Sequence, residues 1–209
     1  MINENYEGSN YIQPKNPQQF CKLMFDCQDG ILDNIKKYIK TKEDTKQKLM
    51  WYSDIDAKRT YVPEQSLLSI AARYGNTEII KYLISIGADV NDVDEYAKTP
   101  LHFACLKRKD SDNNENIEAV KMLINAGADP NYVSYKKFYR IYGIKTEKLS
   151  GNGDTPLHDA TRMNNIEIAK YLLNNGAKPS LKLKNNLDYK PLDYLDEKYK
   201  CEFDKYIET

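Results

Sequence analysis

Thr99-Pro100-Leu101-His102-Phe103-Ala104 decides the reading of this chain, because the phrase comes back. It returns as Thr155-Pro156-Leu157-His158-Asp159-Ala160 and, in worn form, as Ser66-Leu67-Leu68-Ser69-Ile70-Ala71. A second phrase follows each copy: Ile86-Gly87-Ala88-Asp89-Val90-Asn91, Ala126-Gly127-Ala128-Asp129-Pro130-Asn131 and Asn175-Gly176-Ala177-Lys178-Pro179-Ser180. Paired phrases at a recurring step mark a repeat array, in which each unit buries its apolar face against the next.

The letters between the phrases predict two helices per unit. Ser66 stands as an N-cap, Ala71 and Ala72 are small enough for close helix approach, and Gly75 supplies a cheap left-handed stop where a later copy has Asn164. A second helix opens three times with an asparagine and a glutamate, at Asn76-Thr77-Glu78, Asn116-Ile117-Glu118 and Asn165-Ile166-Glu167, which reads as capping plus a carboxylate at the positive helix end. Its apolar stripe, Ile79, Ile80, Leu83 and Ile84, has counterparts in Ala119, Val120, Leu123 and Ile124 and in Ile168, Ala169, Leu172 and Leu173. Helical spacing makes that stripe core.

Ser66 and Thr99 lie 33 residues apart. With that step and its T-P-L-H-x-A phrases the chain resembles the ankyrin-repeat family, whose unit is about 33 residues long. The resemblance implies an all-α ankyrin-repeat solenoid of about five stacked helix-turn-helix units with hairpin fingers, two of them enlarged. Residues 1–16 read as a lead-in without period and 17–209 as a single domain, with units at about 17–40, 64–97, 98–131, 153–185 and 188–209. Insertions fall at 40–62, 108–114 and 132–152. Asp26 stands where the next copy has Ala71, a change expected on an end face that no neighbour covers. The tail through Pro191, Leu192, Phe203 and Ile207, studded with Asp193, Glu197 and Lys200, suits a polar terminal cap.

The 31 basic and 31 acidic side chains cancel, which argues against non-specific nucleic-acid binding. Four cysteines without a C-x-x-C pair, and two histidines, suggest neither a metal site nor a bound cofactor, and they suit a reducing, cytoplasmic compartment of the native or a host cell. No apolar run reaches the ~20 residues a membrane span requires, and Met1–Asn16 lacks the core of a secretory signal.

Catalysis would have to begin at His102 and His158. Both occupy one place in the repeated phrase, and in the resembled family that histidine ties the phrase's threonine to a neighbouring loop. The structural role is therefore expected. Gly151-Asn152-Gly153-Asp154 lacks the spacing of a phosphate loop and reads as a turn. Cys105 sits where sister copies have Ala72 and Thr161 and reads as packing, whereas Cys21 and Cys27 have no assigned role.

The insertions carry the unusual chemistry. Residues 132–150 hold Tyr132, Tyr135, Phe138, Tyr139 and Tyr142 with Lys136, Lys137, Arg140, Lys145 and Lys148 against the single acid Glu147. Loops of that length tend to be functional, and disordered segments are poor in aromatics. Two readings stay open: the rings pack the finger against its neighbours, or they form a contact surface of the kind that dominates binding hot spots. Members of the resembled family bind proteins through finger tips and inner helices. The resemblance therefore implies a protein partner, with an acidic region facing the basic finger, held by a monomer acting as adaptor, inhibitor or effector. The abundance of Asn, Lys, Ile and Tyr is what AT-rich coding gives, a weak pointer to a microbial effector. The expected surface comprises Trp51, Tyr52, Arg73, Tyr74, Glu95, Tyr96, Lys98, Lys107, Tyr135, Lys136, Lys137, Phe138, Tyr139, Arg140, Tyr142, Asn152, Asp154, Arg162 and Met163. Alternatives are an enzyme using Asp154 or Asp159 among the inserted loops, and single-stranded nucleic-acid binding by the basic aromatic finger.

Overall fold

Asn16 starts the first helix by accepting the Gln19 N–H at 3.1 Å, and Pro17 fills the first helical position, where no N–H is needed. In this computed structural model, which describes residues 16–48, 65–94, 96–106, 113–134, 139–141, 144–146 and 152–207, helix α1 runs Pro17–Asp29 and ends at Gly30 with φ 76°. The helices then come in pairs: α1 with α2 (Leu32–Tyr38), α4 (Leu67–Tyr74) with α5 (Thr77–Ser85), α6 (Pro100–Cys105) with α7 (Asn113–Asn125), and α8 (Pro156–Arg162) with α9 (Ile166–Asn174). A short helix α3 (Lys42–Thr45) lies between the first two pairs, and a fifth unit combines a 3-10 turn at Pro191–Tyr194 with α10 (Glu197–Lys200) and α11 (Asp204–Ile207).

First helices form one row, with α1 on α4, α4 on α6, α6 on α8 and α8 on the Pro191–Tyr194 turn. Second helices form another, α2 on α5, α5 on α7 and α7 on α9. Between the rows runs one elongated core: Ile35, then Ile79, Ile80 and Leu83, then Ala119, Val120 and Leu123, then Ile168, Ala169, Leu172 and Leu173, closed by Leu195 and Phe203, all buried. The first-helix row packs closely because Ala71, Ala72, Ala104, Cys105, Ala160 and Thr161 are small and fully buried. Cys105 is packing material there, and burial pushes its thiol well up. The fold is an all-α repeat solenoid.

The second phrase joins the units. Asp89 and Asp129 each turn the chain by accepting the N–H two residues on, from Asn91 and Asn131 at 2.9 and 2.8 Å. Asn91 then donates to the Gly127 carbonyl at 3.1 Å and accepts the Asp129 N–H at 2.9 Å, and Asn131 donates to the Gly176 carbonyl at 2.8 Å. Each copy thus satisfies backbone groups that the next unit's helix end leaves open.

Three local expectations are corrected. Asn76 makes no capping bond to its own helix; its amide donates to the Cys27 and Gln28 carbonyls, capping the end of α1 instead. Helix α7 begins at Asn113, so Asn116 lies within its first turns and donates to the Leu106 carbonyl at 3.1 Å. At 13 residues against 9 in α5, α7 absorbs part of the 108–114 insertion as an added helical turn. Asp26 is buried, held by the Asn34 amide at 3.2 Å, and its neighbour Phe25 is the exposed residue.

The fingers share one closure. Asp94 N–H bonds the Lys98 carbonyl at 3.1 Å, Ser134 N–H the Asp154 carbonyl at 2.8 Å, and Asn185 N–H the Tyr189 carbonyl at 3.0 Å. The partners are four residues apart in the first and third fingers and twenty in the second, so sixteen residues are added above an ordinary finger base. Within them strands β1 (Tyr139–Ile141) and β2 (Ile144–Thr146) pair antiparallel, Arg140 opposite Lys145. The 40–62 insertion is described as far as Lys48, through α3 and its Thr41/Asp44 capping box; Trp51 and Tyr52 lie outside the described residues.

Candidate functional site

The two histidines fix the floor of the first-helix row. His102 Nδ1 accepts the Thr99 N–H at 3.1 Å, which requires the proton on Nε2, and Nε2–H donates to the Asp154 carbonyl at 3.1 Å. His158 repeats this with the Thr155 N–H and the Tyr189 carbonyl, each at 3.1 Å. In both cases the accepting carbonyl is the one that closes the next finger, so each histidine fastens its own helix to the following finger base. Burial lowers the His102 pKa to about 3 and lowers that of His158 as well, leaving neutral rings with both nitrogens engaged. Their role is the structural one that the family resemblance implied.

Above this floor lies a charged cluster built from three units. Asp159, on α8, is completely buried; Lys98 from the first finger, one unit back, reaches both its oxygens at 2.8 and 2.9 Å, and Arg162 one turn on reaches one at 3.0 Å. Arg162 also bonds Asp154 at 2.7 Å and lies over the Tyr194 ring at 4.6 Å. Asn185 holds Asp154 and Tyr194 together at 2.8 Å each. Burial pushes the Asp159 carboxyl up, with Lys98 offsetting part of the effect. At Asp154 burial acts the same way, but hydrogen bonds from Arg162 and Asn185 outweigh it and leave the carboxyl below its ordinary value. Two units before Arg162, Arg73 stacks on Phe103 at 4.6 Å. Arg73 and Arg162 occupy equivalent positions, and each covers the ring that the next unit presents.

The expected contact residues separate into three groups. Tyr96 and Met163 are exposed at 42% and 36%, Asn152 is exposed, and Arg73, Tyr74, Lys98 and Arg162 are half-buried along the same row. Asp154 departs from the expectation: with no exposed surface it positions Arg162 rather than meeting a visitor. Glu95, Lys107, Tyr135, Lys136, Lys137, Phe138 and Tyr142 lie outside the described residues, and Tyr139 and Arg140 are described as β1 backbone. Phe103, Asn185 and Tyr194 were missed. Phe103 and Asp159 both fill the x of T-P-L-H-x-A, a register that points to one surface. Among the described residues no cluster of His, Cys, Asp or Glu could hold a metal ion, and no helix is long and apolar enough to cross a membrane.

A row of paired helices with charged and aromatic side chains at matching positions defines a helical-repeat binding scaffold. Comparison with known sequences gives its kind: the family of ankyrin repeats matches residues 23–134 as three copies and residues 152–185 as a further copy, and the chain belongs to that family. Ankyrin repeats are protein–protein interaction modules. Among its relatives, a putative ankyrin repeat protein of Acanthamoeba polyphaga mimivirus is 37% identical over 114 residues, covering 54% of this chain and 55% of the relative. A mitochondrial disaggregase of Bos taurus is 31% identical over 154 residues, 64% of this chain and 21% of that protein. Human ankyrin repeat and SOCS box protein 3 is 28% identical over 126 residues, 60% and 20% respectively. The chain therefore spans about a fifth to a half of these relatives.

Proposed function

We propose that this chain holds a partner protein on its first-helix row and neighbouring fingers, and that the partner offers an acidic region. The observation that carries the binding face is the ordered set of Lys98 and Arg162 beside the exposed Tyr96 and Met163, with Arg73 at the position equivalent to Arg162 two units earlier; the acidic region answers the inserted segment, whose Lys136, Lys137, Arg140, Lys145 and Lys148 stand against the single acid Glu147. The buried carboxylates Asp154 and Asp159 hold Lys98 and Arg162 at fixed positions, so little side-chain entropy remains to be lost on binding. Aromatic and arginine side chains on a pre-ordered face are the usual hot-spot material. The inserted segment with Tyr135, Phe138 and Tyr139 joins the proposed surface on the strength of its sequence, five aromatic and five basic residues against one acid in 132–150. The four cysteines, all free thiols, suit a reducing compartment such as the cytoplasm. Adaptor, inhibitor and effector roles would all use this one act of holding.

The test is affinity capture with quantitative mass spectrometry, comparing the native sequence with Tyr96→Ala/Met163→Glu and with Tyr135→Ala/Phe138→Ala/Tyr139→Ala. The first variant changes exposed side chains, so its fold should be unaltered by circular dichroism while partner recovery falls by about tenfold or more. Equal recovery by all three proteins would remove the proposed face.

A further inference from the structure

Arg73 and Arg162 hold one register in two units, and only Arg162 has its charge answered. It lies over the Tyr194 ring at 4.6 Å and gives one Nη to Asp154 at 2.7 Å and the other to Asp159 at 3.0 Å, carboxylates with no exposed surface. Arg73 lies over the Phe103 ring at the same 4.6 Å. Ser66–Arg73 runs in step with Thr155–Arg162, so the places of Asp154 and Asp159 fall in its unit to Gln65 and Ile70, neither of which carries charge. Among the described residues no carboxylate stands within ion-pair distance of Arg73, and its buried Nε has no hydrogen-bond partner. Buried donors seldom stay unanswered. Burial pulls the Arg73 pKa below the ordinary arginine value, and Tyr74 and Asp94 offset only part of this. Asp94 is committed to its own finger, where its carboxylate accepts the Tyr96 N–H at 2.9 Å and the Lys98 N–H at 2.8 Å.

Resting on the reading of the first-helix row as the binding face, we propose that Arg73 is the residue on which an Asp or Glu carboxylate of the partner protein docks. Arg162 shows within the same chain what this position takes: a carboxylate set against a guanidinium already stacked on the next unit's ring. Lys98 and Arg162 are satisfied by Asp159 and Asp154, so a visiting acid at either cation meets a carboxylate already in place. At Arg73 it meets a half-buried cation with donors to spare. The Phe103 ring holds the guanidinium plane, so a forked pair of N–H···O bonds to one carboxylate demands little further ordering.

The test is NMR of the full chain with isotope-labelled arginine, in which the Nε–H of Arg73, shielded from exchange with water, gives a signal assigned by its loss in Arg73→Met. Potassium acetate is expected to shift that signal saturably. Potassium chloride at the same ionic strength should leave it in place, and the Arg162 signal should move at least about threefold less in acetate. An Arg73 signal indifferent to acetate overturns the proposal, and so does one that moves with phosphate alone, which would assign the position to a phosphorylated residue. Arg73→Met keeps apolar cover on Phe103 and removes an unanswered charge, so its urea midpoint should stand level with or above the native one. Arg162→Met strands Asp154 and Asp159 and should unfold at clearly lower urea. Equal losses in the two variants would mean that Arg73 is paired within the chain, and the proposal falls. In affinity capture Arg73→Met should recover the partner about tenfold less than the native sequence. Full recovery by Arg73→Met, with loss in Tyr96→Ala/Met163→Glu, would remove Arg73 as the anchor and leave the first-helix face standing. Tyr96→Ala/Met163→Glu should in turn leave the acetate shift unchanged, so the anchor and the face fail separately.

Discussion

His102 and His158 show how far a single residue's role can be read from letters. Their shared place in the repeated phrase pointed to one structural job, and the geometry supplies it, from the threonine N–H to the next finger's carbonyl. The pH dependence follows. The His102 pKa is about 3 in the folded chain, against about 6.5 for a free side chain, and His158 is shifted the same way. Between those values the unfolded chain binds the protons, so stability rises with pH, is complete above about 6.5, and is lost as pH falls, by up to about 1.4 kcal/mol per histidine per pH unit. Asp159, shifted up, acts with the opposite sign nearer the carboxylate range. Urea unfolding at pH 7 and pH 5.5 should show native stability lower by about 1–2 kcal/mol at pH 5.5, and His102→Gln, less stable at pH 7, should show a shallower slope. An unchanged slope would mean that the ring is not the group responsible. Asp159 was less legible. Its counter-ion Lys98 lies 61 residues away in sequence, and only the stacking of finger on helix brings the two together.

Helix ends are where element-level reading succeeded and failed together. Gly75 closes α4 at φ 71° and Asn164 takes the same left-handed turn at φ 51°, as their matching places in the repeat foretold, and Gly30 closes α1 in the same way at φ 76°. The asparagine after Gly75 misled, since Asn-Thr-Glu has the letters of a cap while Asn76 spends its amide on the carbonyls of α1. A local pattern shows which groups need partners and not which unit provides them. Gly30 and Asn76 are thereby coupled: a Cβ at Gly30 would come 3.1 Å from Asn76 Oδ1, besides straining the backbone. Asn76→Ala should cost about 1–2 kcal/mol by leaving two helix-end carbonyls open, and Gly30→Ala about 1–2 kcal/mol. In a double-mutant cycle the pair should cost less than the sum by about 0.5 kcal/mol or more, because removing the Asn76 side chain relieves the crowding. Strict additivity would show that the contact carries no weight.

Across the whole molecule the sequence gives the repeat count and the places where units are stretched, because glycines and prolines keep step while the segments between them grow. It does not give the way the stretched segments are anchored. The Ser134–Asp154 closure does, since it matches the closures four residues wide on either side and carries His102 from the unit before. The base of the second finger is therefore complete without the sixteen residues above it, and this separates the two readings of the inserted rings. Deleting residues 136–151 joins Tyr135 to Asn152 and restores the four-residue span of its neighbours. If the rings serve as a contact surface, the shortened chain should fold with the same helical signal and gain about 1 kcal/mol from the smaller loop-closure entropy, while partner recovery falls. If they pack onto the stack, their removal strips apolar cover from the neighbouring units, and the urea midpoint should fall by an amount expected of a core truncation, about 2–5 kcal/mol. The finger's own anchoring, through Ser134, Asp154 and His102, favours the first outcome, and a loss of stability on deletion would decide for the second.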